Sequence, residues 1–127
     1  MSEDGFVSAI VLAKLALVGL LCLAVADAAN VVVARARAQS AADAAALAAA
    51  VAQWPFAGRD EPPEEAAAHV AAQNGADLES CACPLRGRRA VVVVSIATRI
   101  RLLGVAPSRV RAGAESALDV NGVFEPP

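Results

Sequence analysis

Hydrophobic positions crowd into the first part of the chain. The run "FVSAIVLAKLALVGLLCLAVA", Phe6 to Ala26, is a long apolar segment with Lys14 as its one charge. At about 1.5 Å per residue those 21 positions reach roughly 31 Å, the depth of a bilayer's hydrocarbon core. A lysine at the centre of such a span costs roughly 2.5 to 3.5 kcal/mol, and Lys14 lies nearer one end, where its stem can snorkel to the interface. The apolar surplus outweighs that cost. Phe6, Leu12, Leu17, Leu20 and Leu23 are the expected lipid-facing anchors.

The pattern then changes from leucine to alanine. "ARAQSAADAAALAAA", residues 36–50, is built from the strongest helix former, so a stalk helix is expected to run on from Asp27 until Pro55 stops it. Leu47, Val51 and Trp54 fall at i, i+4 and i+7, one narrow apolar stripe. If anchor and stalk are one helix, it spans about 72 Å, of which a bilayer accommodates less than half.

Beyond the stalk the periodicity shortens. "PFAGRDEPPEE" reads as a loop, and Pro63, Glu64 and Glu65 suit the first turn of a short helix that Gly75 caps. Ala67, Val70 and Ala71 are its expected buried face. In "AVVVVSIATRI" the even positions Val92, Val94, Ile96, Thr98 and Ile100 form an apolar strand face, while Ser95 and Arg99 carry the far end of the other face to water. "DLESCAC" is its expected partner and "PLRGRR" the turn between them. In "RVRAGAESALDV", Val110, Ala112, Ala114, Leu118 and Val120 alternate with Arg109, Arg111, Glu115 and Asp119, the pattern of a half-buried third strand. The expected fold is α+β. An N-terminal tail (1–5) leads to a transmembrane anchor (6–26), an alanine-rich stalk helix (27–54) and a loop (55–62). A small head (63–120) of one short helix and a three-stranded antiparallel sheet follows, then a C-terminal tail (121–127). A head of that size has a core worth only a few kcal/mol and is expected to lean on its own stalk.

Composition narrows the function. The 127 residues are 57% hydrophobic but only 3% aromatic, with net charge −2. No basic face or aromatic platform points to nucleic acid, and no pattern points to a cofactor or a small-molecule substrate. His69 lacks a nucleophile with an orienting acid, and Asp60, Glu61, Glu64 and Glu65 read as a solvated helix start. Cys81 and Cys83 are too few for a thiolate metal site. A strained, labile disulfide between them and separate fates, one thiol buried and the other exposed or paired between molecules, both remain open. Cys22 reads as a small apolar residue in the span. Lys14 is a candidate partner for an acid on a neighbouring subunit, and snorkelling explains it equally well. Arg86, Arg88 and Arg89 form a basic hairpin tip, either simply solvated or touching lipid or protein.

Two features set the topology in conflict. Arg35 and Arg37 follow the span while Glu3 and Asp4 precede it, so the charge rule alone leaves the head cytoplasmic. The paired cysteines and signal-like start argue for export, which is the reading adopted. Ala24-Val25-Ala26 also fits a signal-peptidase site, with Lys14 as the n-region and Leu15 to Leu23 as the h-region. That alternative yields a secreted soluble binding module beginning at Asp27.

The order of the anchor, "RAQSAADAAALAAA", "AAQNGADLESC", "VVVVS" and "GVAPSRVRAGAE" resembles the TadE/TadG-like pseudopilins of the Flp (Tad) pilus system, particularly the short actinobacterial TadE-like type. The resemblance covers about Phe6 to Ala114. It implies a non-enzymatic minor pilin with a pilin-like fold. Its partners would be membrane lipid, other pilin-like subunits and the pilus or secretion machinery, with the head outside the cell membrane. It also implies helix packing through small residues, and Ala9, Ala13 and Ala16 supply such a track in the anchor. The sequence departs from the pattern in two ways. No acid follows Gly5 until Asp27, against what prepilin cleavage needs, and the head helix has no cysteine where relatives often carry one.

Overall fold

The computed structural model describes residues 3–54, 61–98 and 108–118, with side chains in the first helix described from Gly5. Anchor and stalk are one continuous helix, α1 (Glu3–Ala52), of 50 residues and about 75 Å. With no proline to break it, the alanine-rich run simply continues the apolar one. The head follows as α2 (Pro63–Gln73), β1 (Asp77–Ala82), β2 (Arg89–Thr98) and β3 (Ser108–Ala117). The strands form one antiparallel sheet in the order β1-β2-β3, and its inner face lies on the C-terminal half of α1 with α2 alongside. The α+β architecture is the one read from the sequence. The expected loop from Pro55 to Asp60, together with Arg99, Ile100, Asp119, Val120 and the tail 121–127, lies outside the described residues.

The face of α1 that packs is alanine. Ala34, Ala38, Ala41, Ala42, Ala45, Ala46, Ala49 and Ala50 are buried, at the three- and four-residue spacing of one helix stripe. Leu47 and Val51, from the apolar stripe noted in the sequence, are exposed, and Trp54 is only half-buried. The larger side chains therefore point outward and the smallest ones inward. The reason is distance: a methyl-lined helix lets the sheet backbone and α2 come close, and Ala90, Val92 and Val94 fill the space that remains. Alanine's small grip per contact is spent first on the protein's own head.

α2 begins and ends as its sequence dictates. Proline occupies its first turn with Glu64 and Glu65, and Pro63, Ala66, Ala67 and Ala71 are buried, while Val70 is half-buried. At its end the Ala76 N–H donates to Ala71 O (2.9 Å) and the Gly75 N–H to Ala72 O (3.0 Å), the paired bonds of a Schellman cap. Gly75 has φ +71°, where a side chain is strained. Gly75→Ala is expected to destabilise the head by about 1 kcal/mol, read as a lowered unfolding midpoint.

At the far end of α1, Gln53 ties helix to sheet. Its backbone carbonyl accepts from the Arg86 N–H (3.0 Å), and its buried side chain donates through Nε2 to Arg89 O (3.0 Å). Its Oε1, like Trp54 Nε1, has no hydrogen-bond partner among the described residues. Val92 and Val94 are the largest fully buried apolar side chains, so Val94→Ala should cost about 2 kcal/mol, measured by denaturant unfolding.

Candidate functional site

The N-terminal half of α1 touches nothing else that is described. From Gly5 to Ala26 every residue is exposed. Phe6, Leu12, Leu17, Leu20 and Leu23, the five expected anchors, are between 50% and 65% accessible. A helix on the surface of a water-soluble domain shows one apolar stripe, whereas this one is apolar all round. Twelve large apolar side chains between Phe6 and Val25, at about −0.3 to −0.6 kcal/mol each on an insertion scale, give about −5 kcal/mol. That exceeds the cost of Lys14, which is exposed on the same sleeve. By length and composition this helix can cross a membrane.

Burial on α1 begins abruptly at Asp27, 7% accessible, and continues through half-buried Val31 to the alanine stripe. The head core therefore uses no residue of the span. Val32 and Val33 remain exposed beside this stripe, followed by Arg35 and Arg37.

Residues 5–52 match the family model described as "Putative Flp pilus-assembly TadE/G-like". The long helix is TadE/G-like. The matched residues end with α1, so the family likeness covers both the exposed sleeve and the alanine stripe, while the head lies outside it. Neither a curated protein nor a solved structure matches the chain. The TadE/G-like helix is thus apolar and uncovered in its first half and packed against the protein's own head in its second.

The remaining candidates distribute over the head. Cys81 and Cys83 form a disulfide across Ala82, with Cα atoms 5.4 Å apart, and both are half-buried against the core. Cys81 lies in β1 and Cys83 just past its end, so the bond closes over the last residue of the strand. Cys22 is an exposed free thiol on the apolar sleeve. His69 lies on the surface of α2, its Nδ1 4.0 Å from Glu61 Oε1 and its Nε2 3.1 Å from Gln73 Nε2. Glu64 and Glu65 are exposed, and Asp60 lies outside the described residues. Among the described residues no three His, Cys, Asp or Glu side chains converge as metal ligands. The basic tip divides: Arg89 pairs with Glu115 (2.7 Å), while Arg86 and Arg88 are exposed. Because the Arg86 N–H donates to the Gln53 carbonyl, the tip sits about 40 Å along α1 from the end of the exposed apolar run at Ala26.

One feature of the head escaped the sequence reading. The outer sheet face carries cross-strand ion pairs, Arg109 Nη2 to Asp77 Oδ2 (3.3 Å) and Arg111 Nε to Glu79 Oε2 (2.7 Å), beside Arg89 and Glu115. The buried Ser95 hydroxyl accepts from Arg109 Nη1 (3.0 Å). The available signal was opposite charge at alternate positions of β1 and β3, but only the register of β2 between them brings the pairs together. Burial pushes the Glu79 carboxyl up, and hydrogen bonds from Ser95 and Arg111 outweigh it, leaving it below the ordinary glutamate value. A carboxyl lowered on folding stabilises above its unfolded pKa, and that contribution disappears as pH falls through the lower, folded value. The head should therefore lose stability on acidification below about pH 4.5, and Glu79→Gln should flatten that part of the profile, followed by Trp54 fluorescence during urea unfolding.

Proposed function

We propose that this protein is a non-enzymatic, single-pass subunit of a Flp-type pilus or related secretion apparatus. Residues 6–26 hold it in the membrane before assembly and pack among neighbouring helices afterwards, and the head faces outward. The observation that carries this reading is the fully exposed apolar sleeve on a TadE/G-like helix whose other half is already covered by its own head. The free half is the part left to meet lipid or other subunits, and its Ala9, Ala13 and Ala16 track permits close helix approach there. Lys14, exposed within the sleeve, is the position where an acid from another subunit would be matched.

The test is co-purification from the native cell with an epitope on the C-terminus. Pilin-type subunits or their assembly proteins should copurify with the tagged chain, and deletion should reduce sheared surface filaments. A membrane-bound chain with neither association nor effect on filaments would remove the pilus reading while leaving the anchor.

One observation supports the second reading, release after Ala26. Burial starts at Asp27, so a chain beginning there keeps the whole head core. It would lose the sleeve, and its function would reside in the head as a secreted binding module.

A further inference from the structure

Just beyond the span, α1 and the end of β2 enclose an open groove of about 560 Å³. Asn30, Val33, Ala34 and Arg37 form one wall and Ile96 and Thr98 the other. We propose that this groove seats the head group of an anionic phospholipid from the bilayer that holds the anchor. This rests on the membrane reading of α1.

Three observations converge on that occupant. The first is level. Beyond the sleeve, past buried Asp27, two large apolar side chains, Val32 and Val33, stay exposed on α1, so Phe6 to Val33 is 28 residues of helix. At about 1.5 Å each that is roughly 42 Å, the thickness of a bilayer with its head-group layers rather than of its hydrocarbon alone. The groove therefore lies where head groups lie. Helix side chains also lean toward the N-terminus, which brings the Arg37 guanidinium back toward the membrane.

The second is chemistry. The polar lining consists of a guanidinium, a side-chain amide and a hydroxyl, all able to donate, and holds no carboxylate. Arg37 makes no ion pair among the described residues, in contrast to Arg89, Arg109 and Arg111, each of which has a carboxylate partner. A planar guanidinium takes a phosphate with two parallel hydrogen bonds, and a zwitterionic head group would bring its own ammonium up beside that arginine, which favours an anionic one. The apolar remainder, Val33, Ala34 and Ile96, suits the glycerol and the first methylenes of the chains below it.

The third is the charge pattern. Arginines on the head side of the span run against the positive-inside rule if the head is exported. A head-group partner gives Arg37 a role on that side.

The experiment is native mass spectrometry of the full-length chain, purified in detergent and offered phosphatidylglycerol or phosphatidylcholine at equal concentration. The wild type should retain one phosphatidylglycerol at least about five-fold more than phosphatidylcholine. Arg37→Gln should remove that preference, Arg37→Lys should cut it by more than half because an ammonium makes no bidentate bond, and Arg88→Gln at the distal tip should leave it unchanged. Millimolar inorganic phosphate should not compete. Trp54 fluorescence checks that each variant is folded, as expected for an exposed arginine. Equal retention of the two lipids, a preference that survives Arg37→Gln, an equal loss in Arg88→Gln, or displacement by free phosphate would each overturn the groove as a lipid site. A chain that stays soluble without detergent would instead overturn the membrane anchor, so the two failures are distinguishable.

Discussion

Ala45→Leu will destabilise the head by about 1 to 3 kcal/mol, while Leu47→Ala will change it by no more than about 0.5 kcal/mol. The usual expectation for a hydrophobic helix is the reverse. Ala45 is fully buried in the stripe that faces the sheet and α2, and Leu47, two residues on, is 55% accessible. A leucine at position 45 needs room for three more carbons in an interface whose other side is Ala90, Val92 and Val94, so the sheet must move or the side chain must leave its rotamer. In a domain of this size, 1 kcal/mol shifts the unfolding midpoint by about 4 to 8 °C. Thermal unfolding followed by Trp54, the chain's one tryptophan, reads both variants in the same detergent. Equal effects at the two positions would mean that the alanine stripe is not the packed face.

The second large effect concerns the sleeve. Leu17→Arg combined with Leu20→Arg should abolish stable membrane integration and leave head stability untouched. Each exchange replaces about −0.5 kcal/mol of insertion free energy with about +2.5 to +3.5, so the pair costs roughly 6 to 8 kcal/mol and exceeds the whole surplus of the span. Both positions are exposed and far along α1 from the first buried residue, Asp27, so nothing in the head depends on them. Carbonate extraction of membranes measures the loss. Lys14→Leu in the same assay should raise integration, and any loss of filaments in that variant would mark Lys14 as a subunit contact rather than a snorkelling residue.

How much of this was legible in the sequence depends on residue type. The span was, because Leu, Val and Ile are dense there on all sides. So were the breaks at Pro63 and Gly75, which only particular backbone conformations explain, the apolar inner face of β2, and the alternation in β3, where Val110, Ala112 and Ala114 face one way and Arg109, Arg111 and Glu115 the other. The packed face of the stalk was not. When nearly every position is alanine there is no contrast from which to read a period, and the few larger residues, Leu47 and Val51, draw attention to the face that stays outside. The ion pairs on the outer sheet were also hidden, since charges on β1 and β3 meet only through the register that β2 sets between them, with an irregularity in β1 between Leu78 and Ser80 that no local signal marks. The Cys81–Cys83 disulfide was one of two open readings, because spacing alone cannot tell a bond across one residue from two separate thiols.

The anchor and the head meet at one residue, and that boundary decides the protein's character. A chain that keeps residues 6–26 carries an uncovered apolar sleeve of about 31 Å and belongs with lipid or with other helices. A chain that starts at Asp27 is a small α+β domain with its core complete. The intact mass and N-terminal residue of the protein recovered from carbonate-washed membranes, sheared filaments and culture medium distinguish them directly. Retention of Phe6 to Ala26 in a membrane or filament form is the expected result. A form found only in the medium and beginning at Asp27 would contradict it.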